Sequence, residues 1–180
     1  MKKGIWIGSG LLFILGSLVF AVLMIIMAVR ANYHYNQDYY SYWSLADKAS
    51  TISQKSDYID KFVAALGNAG LSGQNDALYF KTSDNSFDQN FQALQSLQSR
   101  LHEIKTMDES SFQYQTAIQQ ITAQEQGQAD DMLGVFNGVW TKIHYPWLWN
   151  PWLILLDILL PILGVTIGVI LMNLGSDDNF

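Results

Sequence analysis

The pattern of apolar and polar positions divides the chain into two long apolar runs and a polar middle. The first run covers residues 5–29 and the second covers residues 151–174, and a helix needs about 20 apolar residues to cross a bilayer core. Only Asp157, Thr166 and Asn173 are polar within the second run. The pattern therefore predicts an all-α membrane protein in which a two-helix transmembrane anchor carries a domain on one membrane surface.

These runs set the predicted domain boundaries. Residues 1–4 and 175–180 are predicted cytoplasmic tails, and residues 30–150 an extracytoplasmic or periplasmic helical domain. The orientation rests on Lys2 and Lys3, because cations before a first span favour the cytoplasmic side. We therefore expect a two-span protein of the cell membrane with both termini in the cytoplasm. The alternative is a secretory signal cleaved near Ala31, although the apolar run exceeds the usual length of about 7–15 residues.

Helical spacing in the middle predicts an elongated three-helix bundle. The first helix is expected to continue unbroken from the first apolar run to about Leu66 and to stop at the glycines that follow, with one face whose positions alternate by four and three. That face consists of Asp38, Tyr42, Leu45, Ala49, Ile52, Ser56, Ile59, Val63 and Leu66. A second helix is predicted from about Ser86 and a third from about Ser111 to Ile143. Residues 71–85 lack this spacing, so we predict an extended crossover segment.

Small residues and one carboxyl group in the apolar runs predict contacts between helices. Gly8 and Gly10 in the first run, and Gly164 and Gly168 in the second, permit the close backbone approach by which helices associate in lipid. In an antiparallel pair these four glycines would face each other. Asp157 is costly in a bilayer, by roughly 2.5–3.5 kcal/mol, and the first run offers no polar group at its depth. We therefore predict that Asp157 contacts another integral-membrane subunit; the alternative is a protonated or headgroup-directed carboxyl.

Aromatic residues are concentrated where both apolar runs meet the middle. Such rings are predicted to form an interfacial belt, with their apolar bodies at the membrane surface and their polar tips in water. The members of this predicted belt are Tyr33, Tyr35, Trp43, Trp140, Tyr145, Trp147, Trp149 and Trp152. Both clusters are expected at the same outer surface of the lipid bilayer.

Glu125 interrupts the apolar face of the third predicted helix, and Gln128 lies beside it. By helical rise this position is level with Lys55 on the first helix. We interpret the three residues as a polar layer that fixes the register of the bundle. A ligand pocket and simple exposure are the alternatives.

Three residues form the one set in this sequence that we consider for metal binding. His34 and Asp38 are spaced to share a helix face, and His144 is expected at a similar height on the returning chain. Two imidazoles and a carboxylate suit iron or another divalent metal. The alternative is that the two histidines belong to the aromatic belt, and no cofactor is expected.

Composition removes several functional classes. The chain has no cysteine, which excludes disulfides, thiolate metal sites and a cysteine nucleophile. Between Arg30 and Asn150 there are 8 basic and 13 acidic residues, and this balance of −5 disfavours nucleic acid as a partner. No GxSxG, P-loop, GxGxxG or HExxH motif is present, so we do not expect an enzyme.

The sequence therefore favours a non-catalytic accessory or scaffold subunit of a larger membrane complex. It would contact other integral-membrane subunits through its transmembrane helices and its outer helices, and a homo-oligomer is also compatible with the sequence. An extracytoplasmic ligand sensor that signals through a partner, and a carrier of a metal or small ligand, are the alternative functions.

Overall fold

The computed structural model describes residues 2–71, 82, 84–149 and 151–176. Within its helices, the side chains of residues 2–7, 122–128, 149, 151, 153, 154, 157 and 174–176 lie outside this description. The described residues are helical apart from short turns, and none of them forms a β-strand. The predicted all-α class is therefore confirmed.

Seven α-helices and one π-helix follow one another along the described chain. In order they are α1 (Lys2–Tyr35), the π-helix (Asn36–Tyr40), α2 (Ser41–Asp47), α3 (Ile52–Asn68), α4 (Phe87–Lys105), α5 (Phe112–His144), α6 (Pro146–Trp149) and α7 (Pro151–Ser176). The chain forms two compact units. We name them the terminal unit, Met1–Ala31 with Tyr145–Phe180, and the central unit, Asn32–His144.

In the terminal unit, the N-terminal part of α1 packs against α7. Gly10 lies against Gly168, and Ser17, further along α1, lies against Gly164, which comes earlier in α7. The two helices therefore run antiparallel. Among the described residues, the helical run Gly8–Asp47 is long and apolar enough to cross a membrane, and Ile158–Asn173 of α7 is a shorter apolar stretch.

In the central unit, the chain folds back on itself after α2. The ring centroids of Trp43 in α2 and Phe62 in α3 are 5.9 Å apart. In one continuous helix these residues would be about 28 Å apart at 1.5 Å per residue. The prediction of an unbroken first helix is therefore wrong, because a turn between Asp47 and Ile52 reverses the chain.

The fold-back also corrects the predicted three-helix bundle. Ion pairs and hydrogen bonds join Asp57 to Lys105, and Asp60 to Gln98 and His102, so α3 and α4 are antiparallel. Helices α4 and α5 pack on each other in turn. The central unit thus contains α2, α3, α4 and α5. The chain runs back alongside α2 as helix α3, whereas we predicted that an extended crossover segment would bring it back. Most of the predicted crossover segment lies outside the described residues.

A π-helix explains why the predicted face of the first helix is out of phase. Tyr42 and Leu45 were expected inside, but the buried residues are Trp43 and Ala46, one position later. A π-helical turn accommodates one residue more than an α-helical turn, so it rotates everything after it. After the turn between Asp47 and Ile52, the predicted inward face is correct for Ser56, Ile59 and Leu66, which are buried.

The core of the central unit is built from aromatic rings on α3, α4 and α5, and Trp43 of α2 packs against them through Phe62. Phe62 of α3 lies 6.0 Å from Phe136 of α5, and Phe87 of α4 lies 5.5 Å from Phe136. Both pairs meet edge to face, the arrangement that the ring quadrupole favours. The buried apolar residues of α4 and of the C-terminal half of α5 supply most of the remaining core.

Candidate functional site

The contact between α1 and α7 in the terminal unit depends on glycines, which have no side chain to keep the two helices apart. A Cβ atom built on Gly10 would lie 2.5 Å from the carbonyl oxygen of Gly168, and one built on Gly168 would lie 2.7 Å from the carbonyl oxygen of Gly10. Both distances are far below van der Waals contact, and the obstructing atoms belong to backbones that cannot rotate away. The two helices therefore approach each other as closely as glycine alone allows.

The same contact continues one turn earlier in α7, at Gly164, and one to two turns later in α1, at Phe13 and Ser17. A Cβ atom on Gly164 would lie 2.7 Å from the Cβ atom of Ser17 and 3.4 Å from the carbonyl oxygen of Phe13. The Ser17 hydroxyl donates a hydrogen bond of 2.9 Å to the carbonyl of Ile14 in its own helix. The polar group at this contact is therefore satisfied without a partner from α7.

Within the described part of the structure Gly8 takes no part in this contact, contrary to the prediction that it would face α7 together with Gly10. No described atom lies within 4 Å of a Cβ built on Gly8. Residues two apart on an α-helix point in opposite directions, so Gly8 and Gly10 cannot both face one neighbour. The structure thus brings together Gly10, Gly164 and Gly168, and their contact with further subunits stays a prediction.

Most large apolar side chains of this helix pair are exposed. The exposed residues are Leu11, Leu12, Phe13, Leu15, Leu18, Val19, Val22, Leu23, Ile25, Ile26 and Val29 of α1, and Trp152, Leu155, Leu156, Ile158, Leu159, Leu160, Ile162, Leu163, Val165, Ile167, Val169 and Ile170 of α7. A water-soluble surface rarely exposes a contiguous apolar patch of more than a few hundred Å². This surface therefore calls for an apolar cover.

Asp157 lies in α7, and its side chain is outside the described part of the structure. Pro161 follows it by four residues within the same helix and has no N–H to donate to the Asp157 carbonyl. Thr166, by contrast, donates a 2.7 Å hydrogen bond to the carbonyl of Ile162 and is satisfied within its own helix. Asp157 thus marks the place in α7 where both a carboxyl group and a carbonyl without its helical donor occur.

The predicted aromatic belt divides into two groups. Tyr33, Trp147 and Trp152 are exposed, and Trp152 is 76% exposed. Tyr35, Trp43 and Trp140 are buried in the protein, so the belt prediction is wrong for these three residues. They lie on the inward faces of the central unit, which composition alone does not distinguish from the outward faces. Tyr145 is half-buried, and the side chain of Trp149 lies outside the described residues.

Tyr35 begins a stack of rings beside the π-helix. Its ring centroid lies 5.7 Å from Tyr39 and 5.9 Å from Trp140, and Trp140 stacks on His144 at 4.6 Å. The Tyr35 side chain is 2% exposed, and its hydroxyl has no hydrogen-bond partner among the described residues. Burial, with the nearby Tyr39 and Tyr40, raises the pKa of this hydroxyl well above its usual value. The surroundings of Tyr35 therefore favour the neutral form of its hydroxyl.

The structure does not bring His34, Asp38 and His144 together. Among the described residues, no group of three or more histidine, aspartate and glutamate side chains could hold a metal ion. The predicted set is therefore wrong. Asp38 lies inside the π-helix, where four-residue spacing no longer keeps two side chains on one face. The Nδ1 atom of His144 lies 2.9 Å from the carbonyl oxygen of Trp140, so it serves the local helix.

Only part of the predicted polar layer lies among the described residues. The side chains of Glu125 and Gln128 lie outside the described residues, and Lys55 is half-buried. Next to Lys55, Ser56 is buried, and the described part of the chain supplies no hydrogen-bond partner for its hydroxyl. The layer as a whole stays a prediction.

Sequence reasoning missed a polar cluster that joins α3 to α4. The Asp60 carboxylate accepts a 2.7 Å hydrogen bond from Gln98 and lies 3.0 Å from Nε2 of His102. Burial raises the pKa of Asp60, but the hydrogen bonds from Gln98 and His102 and the charges of His102 and Lys105 outweigh it, so the pKa lies below its usual value. A complementary charge pattern on two neighbouring predicted helices was the available signal.

Across the described residues the fold is all-helical, and one helix among them, near the N-terminus, is long and apolar enough to span a membrane. The chain matches no protein-family model, and comparisons with curated proteins and with solved structures give no match either.

Proposed function

We propose that this protein is a non-catalytic accessory or scaffold subunit of a membrane complex. In this proposal α1 and α7 both cross the bilayer, the central unit lies on the extracytoplasmic side, and both termini lie in the cytoplasm. The subunit holds its complex together through contacts within the bilayer. The glycine contact keeps its own two helices together, and Asp157 binds a neighbouring subunit.

The observation that carries this proposal is the combination of close backbone contact and apolar exposure in the terminal unit. Gly10 and Gly168 are buried against each other's backbones, while the large side chains around them are exposed. In water, helices associate by burying large apolar side chains; in lipid, where no hydrophobic force joins them, they associate by close packing of small residues. The terminal unit follows the second pattern, which supports a bilayer as its solvent.

Asp157 and the proline after it indicate the chemistry of the partner. A carboxylate and a carbonyl oxygen that lacks its usual helical donor both accept hydrogen bonds, so the complementary group is a donor. A lysine, an arginine or a hydroxyl-bearing side chain on a neighbouring transmembrane helix meets this requirement. Since the side chains of α1 around this depth are apolar, the donor is expected from a different chain.

Purification in a mild detergent tests this proposal. We expect other integral-membrane proteins to co-purify with the native chain at fixed ratio, and we expect the Asp157→Leu variant to lose them. Asn173→Leu, which removes a different polar side chain from the same helix, is the matched control and should retain them. Equal recovery of partners with native protein and the Asp157→Leu variant would refute the role assigned to Asp157.

Extraction with alkaline carbonate tests the membrane assignment separately. An integral protein remains in the pellet, because carbonate releases proteins held by charge but not helices that cross the bilayer. Release of the native chain into the supernatant would contradict the proposal at its base. This result does not depend on which proteins co-purify.

A further inference from the structure

A groove runs along one flank of the contact between α1 and α7. Its volume is about 480 Å³. Its walls are formed by Leu12, Phe13, Gly16, Ser17 and Phe20 of α1 and by Leu160, Leu163, Gly164 and Ile167 of α7. Phe13, Ser17 and Gly164 also belong to the glycine contact, so the groove is continuous with the interface between the two helices.

The groove is open because of Gly16. No atom lies within 4 Å of a Cβ built on this residue, so a side chain here would extend into free space. Ser17 supplies the hydroxyl in the wall, and this hydroxyl already donates to the carbonyl of Ile14. The groove therefore offers an occupant apolar contact and no unsatisfied hydrogen-bonding group, which selects for a purely hydrocarbon ligand.

The dimensions of the groove distinguish a hydrocarbon chain from a helix. From Leu12 to Phe20 the α1 wall is about 12 Å long at helical rise, close to the roughly 15 Å depth of one bilayer leaflet. The volume of about 480 Å³ lies within the roughly 300–1,000 Å³ that small-molecule sites occupy. The nine wall residues are also fewer than the roughly 20–30 per side of a stable protein interface.

We infer that this groove is a binding site for one acyl chain of a membrane lipid. The acyl chain lies between one flank of α1, formed by Leu12, Gly16 and Phe20, and one flank of α7, formed by Leu160, Leu163 and Ile167. Gly16 forms the floor of the groove beneath the acyl chain. The lipid thereby completes the packing that the glycine contact leaves open on this side. The inference rests on the proposed membrane function, since an acyl chain reaches the groove only from a bilayer.

Photolabelling of the full chain tests this inference. The protein is reconstituted into phosphatidylcholine vesicles that contain a phospholipid with a diazirine on one acyl chain, and the labelled residues are located by mass spectrometry. We expect Leu163, in the groove wall, to be labelled about fivefold more than Ile162, which is exposed on the same helix but outside the groove, because a bound chain dwells longer than a passing one.

Two pairs of variants assign that labelling to the groove. Gly16→Leu fills the floor and should lower the labelling of Leu160 by about fivefold, whereas Gly8→Leu adds the same side chain to another open position of α1 and should leave it unchanged. If Gly16→Leu impairs folding, Leu163→Trp narrows the groove from α7, with Ile162→Trp as its control. Circular dichroism establishes that each variant is folded.

The outcomes separate this inference from the proposed function. Even labelling around both helices shows a protein in the bilayer without a site, and it overturns the acyl-chain inference alone. Cross-linking of two copies through the groove, abolished by Gly16→Leu, assigns the groove to a second copy and also overturns it. Absence of label from every apolar residue contradicts the membrane assignment and the groove together.

Discussion

The terminal and central units are both helical, yet they are held together in opposite ways. In the central unit, Phe62, Phe87 and Phe136 are almost fully buried and meet through their rings. In the terminal unit, Gly10 and Gly168 are buried at the helix contact, and the large apolar side chains around them are exposed. The terminal unit is thus the more apolar of the two, yet its helices meet through glycines and not through large apolar side chains.

This difference teaches that apolar content alone does not predict a core. Large apolar side chains turn inward where the surrounding solvent is water, since burial of each one then stabilises the fold by roughly 1.5–3 kcal/mol. Where the surroundings are as apolar as the side chains, that contribution vanishes and close backbone packing decides which faces meet. The arrangement of buried residues therefore reports the solvent for which each unit is suited.

The largest expected effect is the loss of a ring from the central unit. Phe136 contacts rings of two other helices and is fully buried, so Phe136→Ala should lower the free energy of unfolding by about 3–5 kcal/mol. The measurement is denaturant unfolding of the full chain in detergent, followed by tryptophan fluorescence. Phe112→Ala is the control, because Phe112 is 82% exposed and should change stability by less than about 0.5 kcal/mol.

A smaller residue change should disrupt the terminal unit. Gly168→Ala adds a methyl group that meets the backbone of α1, so it should weaken the α1–α7 contact by about 1–3 kcal/mol. Unfolding by increasing mole fraction of dodecyl sulfate in mixed micelles measures the effect. Gly8→Ala should be neutral or stabilising, because its added methyl group meets open space and alanine favours helix. Equal effects of the two substitutions would show that the contact does not depend on Gly168.

Tyr35 should behave differently from a normal buried tyrosine. Its hydroxyl is buried and has no hydrogen-bond partner in the described part of the structure, so Tyr35→Phe should leave the free energy of unfolding unchanged or raise it by up to about 1 kcal/mol. Because the folded pKa of Tyr35 is raised, the native protein should also lose stability as the pH rises above the ordinary value of 10.0. Tyr35→Phe should remove this alkaline loss, whereas Tyr33→Phe, at an exposed position, should retain it.

The smallest effect is expected at the polar cluster between α3 and α4. Because the folded pKa of Asp60 is lowered, its contribution is present above the ordinary value of 3.8 and is lost as the pH falls through the folded pKa. The carboxylate is 37% exposed, so solvent screening should keep this contribution below about 1 kcal/mol. Comparison of acid unfolding for native protein and Asp60→Asn measures it. A variant with an unchanged acid midpoint would show that the cluster contributes no stability.

Helices whose spacing is uninterrupted could be predicted from the sequence. The apolar positions of α4, from Phe87 to Ile104, follow one α-helical rhythm, and the structure places the helix there. The end of the helix after Leu66 could also be predicted. Helix α3 ends at Asn68, and Gly70 adopts a φ of 66°, a backbone conformation that favours glycine.

The central unit could not be predicted where two local features change the rhythm. The π-helix adds a residue to one turn, and no residue type signals it. The turn before α3 did leave a signal, because Thr51 caps this helix by accepting a 3.2 Å hydrogen bond from the backbone of Gln54. The Thr51–Gln54 spacing matches a capping box, but a continuous apolar rhythm across it concealed the break.

The candidate site was partly within reach of the sequence. Small residues identified α1 and α7 as partners, but the choice between Gly8 and Gly10 depends on the rotation of α1, which only packing fixes. The groove at Gly16 depends on the angle between the two helices, and nothing in the sequence of either helix alone defines that angle.

The most direct test of this account is the compartment in which each part of the chain lies. The native chain has no cysteine, so a Glu109→Cys variant and an Asp178→Cys variant each carry a single thiol. A membrane-impermeant maleimide is applied to intact cells and, separately, to permeabilised cells. If α1 and α7 both cross the bilayer as we propose, the Glu109→Cys variant is labelled in intact cells and the Asp178→Cys variant only after permeabilisation. Labelling of both variants under the same condition would place the two positions in one compartment and contradict the account.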